Sequence, residues 1–479
     1  MPPPLEPSRV NKPTPALPVS RSASATAPLA FLALMLVGYG LAHVDDGDAL
    51  LYRRFAEHLL EGGDAFRLWW TQTNLVDFHD HLPPPFWLLS GLQRLVGEAG
   101  LGPVHLAMTL GTWWLVWRMA RRAGESETMR AGLWLLPFTD AYMRVQGEPR
   151  LDQPFLLMIV FAVAGAGLSF APGVVVSALA FGAALLWRPP FALALLVVLP
   201  AARWALTGRL RGALGFVAVA AALGALAPLG LHVAAVRAGH PDLWQRYFTG
   251  QVLASLTGTR SDGGSSHLAP LMGLWRTFWP ALPFALAGVW RFVRRASERT
   301  PWAWMNVVWA ASVVVGLSLG RRHLPSHTWM AYPALFFFGG RGLFSFTTWL
   351  EAFQPGVPRV LPRVVLATGV VFAVAFPLAS GRGRCDVLAA GARLSQSPWR
   401  ERTLCPRVAV LGGEKPEWML AQTVVDHWRL DVDLVEPSGL VPSPGCWRLV
   451  AARPIHRPDV GEVVHAGKHD VVVALPPAP

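Results

Sequence analysis

The sequence predicts an α-helical polytopic membrane protein of about eleven spans, with external amphipathic helices in its first loop and a small C-terminal α/β extramembrane domain. Three observations predict it. The chain of 479 residues is 53% hydrophobic and only 15% charged, where soluble domains carry about 25% charged residues. Its charges are gathered between apolar runs, and a bilayer core requires about 20 consecutive, mainly apolar residues per helix. Arginines concentrate in alternate short loops, as they do in cytoplasmic loops under the positive-inside rule.

Residues 1–26 are rich in Pro, Ser and Ala and carry Arg9, Lys12 and Arg21. Such a segment cannot bury a core and reads as a disordered basic cytoplasmic tail. The membrane domain is expected over 27–380. Its first run, "APLAFLALMLVGYGLAH" (27–43), reads as an uncleaved anchor because further spans follow. Those spans are expected near 101–118, 131–143, 151–169, 172–187, 190–206, 212–236, 269–290, 302–319, 328–348 and 361–380.

With the N-terminus inside, the cytoplasmic loops are "RMARRAGESETMR" (118–130), "RWALTGRLR" (203–211), "RFVRRASERT" (291–300) and the segment after Arg341. Each is short and rich in Arg. The alternate loops, 44–100, 144–150, 187–190, 237–268 and 320–327, are longer or hold the acids and histidines. An odd number of spans then places residues 381–479 outside a cell (inner or plasma) membrane. In that last part "RVAVLGG" (407–413), "WRLDVDLVEP" (428–437), "CWRLVAA" (446–452) and "KHDVVVAL" (468–475) read as strands. Cys385, Cys405 and Cys446 also lie there without metal-ligand spacing. Outside the cytoplasm two of them can form a disulfide, leaving one thiol; three unpaired cysteines are the other reading.

The net charge of +12 follows the loops. It forms no basic patch interleaved with aromatics, and this excludes nucleic acid as a partner. Membrane lipids are expected partners instead.

The polar residues of interest fall on the external side. In the first loop (44–100), "DALLYRRFAEHLLEGG" repeats Leu51, Phe55, Leu59 and Leu60 at helical spacing, so this helix is expected along the membrane surface. Just before and inside it stand Asp45, Asp46 and Asp48. One reading is a set of acids at a helix start, each stabilising by about 0.3–1 kcal/mol. The other is a catalytic carboxylate beside the membrane, able to take a proton from a hydroxyl. Further along come His79, Asp80 and His81 before Pro83–Pro85, then Arg150 and Asp152 in "GEPRLDQP" and Arg188 in "WRPP". Last come Arg321, Arg322, His323 and His327, ahead of a helix interrupted by Pro333. Arginine suits phosphate geometrically, so a set of external arginines near the headgroups suits a lipid phosphate.

Taken in order, these segments resemble the GT-C membrane glycosyltransferases, and within them the protein O-mannosyltransferase and lipid A aminoarabinose transferase branch. The acidic cluster followed by "LLEGG" and "HDHLPPPFWLLSGLQRLVG" is similar to that family's first external loop. "RLDQP", "WRPP" and "RRHLPSHTWMAYPAL" resemble its later segments, and the order holds over 27–350. His81 stands where the family usually has Lys. The resemblance implies a polyprenyl-phosphate sugar donor and a lipid, glycan or protein acceptor, with inversion at the anomeric carbon. It implies an Asp base among Asp45, Asp46 and Asp48, and donor phosphate contacts from Arg150, Arg188, Arg321, Arg322 and His323. His79, Asp80, His81, Asp152 and Tyr332 are then acceptor or loop residues. No cofactor is required on this reading; a divalent metal is possible, with His79, Asp80 and His81 able to contribute, although "HDH" alone fixes no metal geometry. The alternatives are a polytopic lipid or solute transporter or flippase, and a non-catalytic protein of the same fold.

Overall fold

The computed structural model describes residues 25–41, 47–68, 78, 80–143, 146, 150–257, 267–319, 325–354, 367 and 370–371, with 405, 407–411, 431–435, 444–452, 462–466 and 471–478 near the C-terminus. The chain is mostly helical. In order come α1 (Thr26–Leu41), α2 (Gly47–Leu60), α3 (Pro84–Val96), α4 (Glu98–Arg122), α5 (Ser126–Leu135) and α6 (Asp140–Met143). They are followed by α7 (Asp152–Ala166), α8 (Phe170–Trp187), α9 (Pro189–Ala192), α10 (Leu195–Thr207), α11 (Ala213–Gly224) and α12 (Leu226–Arg237). The last are α13 (Leu243–Tyr247), α14 (Ala254–Thr257), α15 (Ala269–Phe278), α16 (Leu282–Arg294), α17 (Pro301–Leu319) and α18 (Tyr332–Phe353). Among the described residues four helical stretches are long and apolar enough to cross a membrane: Phe170–Trp187, Pro189–Thr207, Ala213–Arg237 and Pro301–Leu319.

Several expected spans are subdivided, two of them at a proline. The segment 269–290 is broken between α15 and α16 at the cis Trp279–Pro280 peptide. The segment 131–143 is α5, a tight turn at Leu136–Phe138 containing Pro137, and the short α6. Pro333 does not interrupt a helix. It stands in the first turn of α18, where a missing N–H leaves no bond unmade. Gly208, with φ of 68°, ends α10 in a left-handed conformation that glycine adopts without a Cβ penalty. Most of the expected span 361–380 lies outside the described residues.

Apolar lipid offers helices no strong hydrophobic drive to associate, so close packing of small residues does much of that work. Here α18 runs against α5 and α16 with almost no gap. A Cβ on Gly340 would fall 1.8 Å from the Thr128 carbonyl oxygen, and one on Gly342 2.0 Å from that of Phe284. Around this seam the buried rings of Trp113, Phe278, Tyr332 and Phe336 meet edge-on or tilted, with centroids 4.8–5.5 Å apart.

Two of the loops expected on one side of the membrane, 118–130 and 291–300, are found together with Arg341. Glu125, from the 118–130 loop, accepts from Thr300 (2.9 Å) and from Arg341 Nη2 (2.7 Å). Arg341 also donates to the Glu298 carbonyl, and Glu298 pairs with Arg291. At the turn between α7 and α8 the buried Arg203 donates to the carbonyls of Ala166 and Leu168. The opposite end of the bundle carries the starts of α4 and α7, the end of α8 and the segment 325–331. There α2 packs its apolar face inward: Tyr52, Phe55 and Ala56 are buried, and so is His58. Phe55 meets Phe78 and Phe86.

The C-terminal strands are β1 (Arg407–Leu411), β2 (Asp431–Val435), β3 (Arg448–Ala452), β4 (Glu462–Ala466) and β5 (Val471–Leu475), in the order β2-β1-β3-β5-β4. β1 is parallel to β2 and β3, while β5 is antiparallel to β3 and β4. Four of the five match the expected strands; β4 was not foreseen. Cys405 and Cys446 form a disulfide.

Candidate functional site

The site is assembled from short segments at the end of the bundle that holds the α7 N-terminus. The chain cannot stay helical past Trp187, because Pro189 and Pro190 follow and the residue before a proline is driven to extended geometry. Arg188 is that residue, with φ −147° and ψ 79°. It is held at the junction, buried, beside the first turn of α7. Asp152 occupies that turn, where the helix dipole favours a carboxylate. Arg188 Nη1 lies 2.8 Å from Asp152 Oδ1. Arg150, two residues earlier, stacks its guanidinium over the Trp329 ring at 5.8 Å.

Two histidines complete the surroundings. His327, from the tight helical turn Pro325–Ala331, lies against Phe191 with ring centroids 5.2 Å apart. His81 comes just before the prolines that start α3, and its Nε2 lies 3.1 Å from the Tyr52 hydroxyl. Both histidines and both arginines act electrostatically on Asp152. The site thus surrounds one carboxylate with two fixed positive charges, a field that suits an anion.

Tyr247, at the end of α13, closes another side. Burial pushes its phenol well above the ordinary value; Arg188 opposes the shift and Asp80 adds to it. Tyr247 is therefore a neutral hydroxyl at ordinary pH. A cavity of about 10 Å³, large enough for one water, is bordered by Asp152, Gln146, Gln153 and Trp329. Asp152 Oδ1 and Trp329 Nε1 are both buried without a hydrogen-bond partner among the described residues. A water there would have polar neighbours to bind.

Beneath the site a buried polar chain fixes the α7 start. Gln153 donates to Thr112 (3.1 Å) and accepts from the Tyr142 hydroxyl (3.2 Å), which in turn accepts from Trp113 Nε1 (3.1 Å). Thr109 donates to Gln146 (3.1 Å). A charged group supported in this way keeps its direction when a ligand arrives.

Of the residues expected from sequence, Arg150, Arg188, Asp152, His81 and Asp80 come together here. Tyr332 stands apart: it is buried, and its hydroxyl donates to the Thr277 carbonyl at 2.8 Å. Asp48 falls in the first turn of α2, one turn before Tyr52; its side chain, and Asp45, Asp46, His79, Arg321, Arg322 and His323, lie outside the described residues. No group of three or more metal-ligating side chains occurs among the described residues. Tyr52, Tyr247 and Trp329 were missed. The chain has only five tyrosines, and this scarcity was the one available signal for the first two.

No family model matches the sequence, and no curated protein matches it. Solved structures do. ArnT from Cupriavidus metallidurans bound to undecaprenyl phosphate superposes with a TM-score of 0.65 at 18% identity, over 94% of this chain and 98% of that one. The apo state of the same protein gives a TM-score of 0.60 with the same identity and coverage. The chain therefore shares the fold of ArnT over nearly its whole length.

Proposed function

We propose that this protein is an integral membrane glycosyltransferase that moves a sugar from a polyprenyl-phosphate donor to a lipid, glycan or protein acceptor. The observation that carries the reading is the pair of arginines bracketing Asp152 within a fold whose solved example, ArnT, is bound to undecaprenyl phosphate. Guanidinium groups match phosphate oxygens, and that of Arg188 is buried, where charge acts at low dielectric. Arg150 and Arg188 bind the donor phosphate and stabilise the charge that grows on it as the bond to the sugar breaks.

In that reaction the acceptor hydroxyl attacks the anomeric carbon with inversion. The carbon–oxygen bond to phosphate breaks, polyprenyl phosphate leaves, and the hydroxyl proton passes to a carboxylate among Asp45, Asp46 and Asp48. These acids adjoin α2, whose Tyr52 reaches the site through His81. A divalent metal is possible at the acidic segment, and no step requires one. The N-terminus is cytoplasmic and the C-terminal domain external, in a cell (inner or plasma) membrane. The Cys405–Cys446 disulfide supports this orientation, because such bonds persist in oxidising compartments.

The test is transfer of radiolabelled sugar from polyprenyl-phosphate donors to membrane acceptors by purified protein. Asp46→Asn and Asp48→Asn are compared with wild type, and one of them should abolish transfer while binding of polyprenyl phosphate persists. Active wild type with both variants unimpaired overturns the assignment of the base to Asp46 or Asp48, and Asp45→Asn tested alongside them, if also unimpaired, overturns the acidic segment as its source.

A further inference from the structure

We propose that a membrane phospholipid with an anionic headgroup occupies a cleft between α1 and α4, at the end of the bundle opposite the Arg188 site. The cleft has a volume of about 590 Å³, within the range of built ligand pockets. Leu29, Ala30, Leu110, Gly111, Trp114 and Trp117 line it. Its wall is apolar, and Ala30 and Trp114 are exposed at its mouth.

What distinguishes this cleft from ordinary lipid-facing surface is its rim. Arg118 lies over the Trp114 ring at 4.9 Å, and Arg121 over the Trp117 ring at 5.6 Å. Both arginines are exposed, and both guanidinium carbons lie over rings that wall the cleft. Arg122 extends the charge to the end of α4. From Leu110 to Arg118 the helix rises about 12 Å. An acyl chain can therefore lie along Leu110 and Gly111 while its phosphate reaches the stacked guanidinium groups. Cation–π stacking also removes much of the rotational freedom that phosphate binding would otherwise cost.

Charge selects the occupant. The N-terminal segment 1–24 of the same chain carries Arg9, Lys12 and Arg21 against one acid, Glu6, so the arginine rim repels it. A second copy would have to bring acids to the rim, and Glu125, close in sequence, is already taken by Arg341. An anionic phospholipid of the leaflet at this end satisfies both the apolar wall and the rim. The inference is independent of the reaction proposed above and concerns a different end of the molecule.

Native mass spectrometry of the delipidated full-length protein tests it, with phosphatidylglycerol and phosphatidylcholine as probes. Each arginine near a charged headgroup is worth roughly fivefold in binding, so two give a preference of roughly 30-fold for the anionic lipid. The protein is expected to retain one phosphatidylglycerol with that preference. A Cβ at Gly111 meets nothing within 4 Å, so Gly111→Phe can leave the helix backbone in place, puts a ring where the acyl chain would lie and should abolish retention. Arg118→Gln with Arg121→Gln, both at exposed positions, should abolish the preference and leave folding intact. A photoreactive benzoylphenylalanine in place of Leu29 should capture lipid. Equal retention of the two lipids, unchanged binding by Gly111→Phe, or capture of the 1–24 segment or of a second chain would each overturn the proposal.

Discussion

Arg188 and Asp152 form an ion pair that leaves hydrogen-bonding capacity on both partners. Their nearest atoms are 2.8 Å apart and their side chains are only 8% and 11% exposed. Yet Arg188 Nε, Arg188 Nη1 and Asp152 Oδ1 have no hydrogen-bond partner among the described residues. The charges are close while the N–H directions are off the pair axis. A buried pair of this kind gains Coulomb energy and still holds donors free for a third, anionic group.

Replacing the fork by a point charge separates those two roles. Arg188→Lys keeps the charge beside Asp152 and loses the planar donors. Transfer should fall by about 10²-fold, the scale for loss of one preorganised donor to a developing charge, while the melting temperature in detergent changes little. Steady-state transfer rates and thermal unfolding of the same preparation check both halves.

Asp152→Asn should act with opposite signs on stability and ligand binding. Removing one member of a buried pair leaves the other charge uncompensated, at a cost of about 3–5 kcal/mol. The same change leaves Arg150 and Arg188 without their nearby anion, so polyprenyl phosphate should bind more tightly and protect the variant more than wild type. Thermal shift with and without the lipid phosphate reads both effects.

The Tyr247 phenol is held above its ordinary value of 10.0, chiefly by burial. A raised value in the folded state means that the protonated ring contributes stability in full below the unfolded value. That contribution is lost as pH rises through 10 toward the folded value. Tyr247→Phe removes this dependence, so the variant should lose less stability than wild type above pH 10. Denaturation midpoints across an alkaline series measure the difference.

The other end of the bundle offers a contrast between a largely enclosed glutamate side chain and a half-exposed one. Glu125 accepts from Thr128, Thr300 and Arg341, and its side chain is 12% exposed. Glu125→Ala should destabilise by about 3–5 kcal/mol. Glu127, two residues on, pairs with Arg130 with both side chains about 40% exposed. Glu127→Ala should cost less than about 1 kcal/mol. Thermal melts of the two variants in one detergent check the ratio.

What the sequence made legible follows from the kind of signal involved. Long apolar runs and Arg-rich loops report burial in lipid directly, so the helical membrane class could be read, and the loops at 118–130 and 291–300 were rightly paired at one end. Arg150, Asp152 and Arg188 were legible because charge beside a span is conspicuous. The break at Trp279–Pro280 and the strand β4 were not, since hydropathy averages over single prolines and "EVVHA" sets only two valines between a glutamate and a histidine. Tyr52 reaches the site through a tertiary contact with His81, and Tyr247 through its proximity in space to Arg188. Periodicity carries no trace of such contacts.

Orientation can be read through the disulfide. Cys405 and Cys446 are bonded across 41 residues, and closing a loop of that size stabilises by about 4 kcal/mol on the chain-entropy account. In a Cys385→Ser background, a membrane-impermeant maleimide should leave the protein unlabelled in intact cells until an impermeant reductant is added outside. Both remaining cysteines should then label. The same reduction should lower the protease resistance of the C-terminal sheet, because β3 begins just after Cys446 and Cys405 donates its backbone N–H to the Trp447 carbonyl at 2.9 Å. Labelling that requires permeabilised cells would place the sheet on the cytoplasmic side and reverse the orientation of every loop.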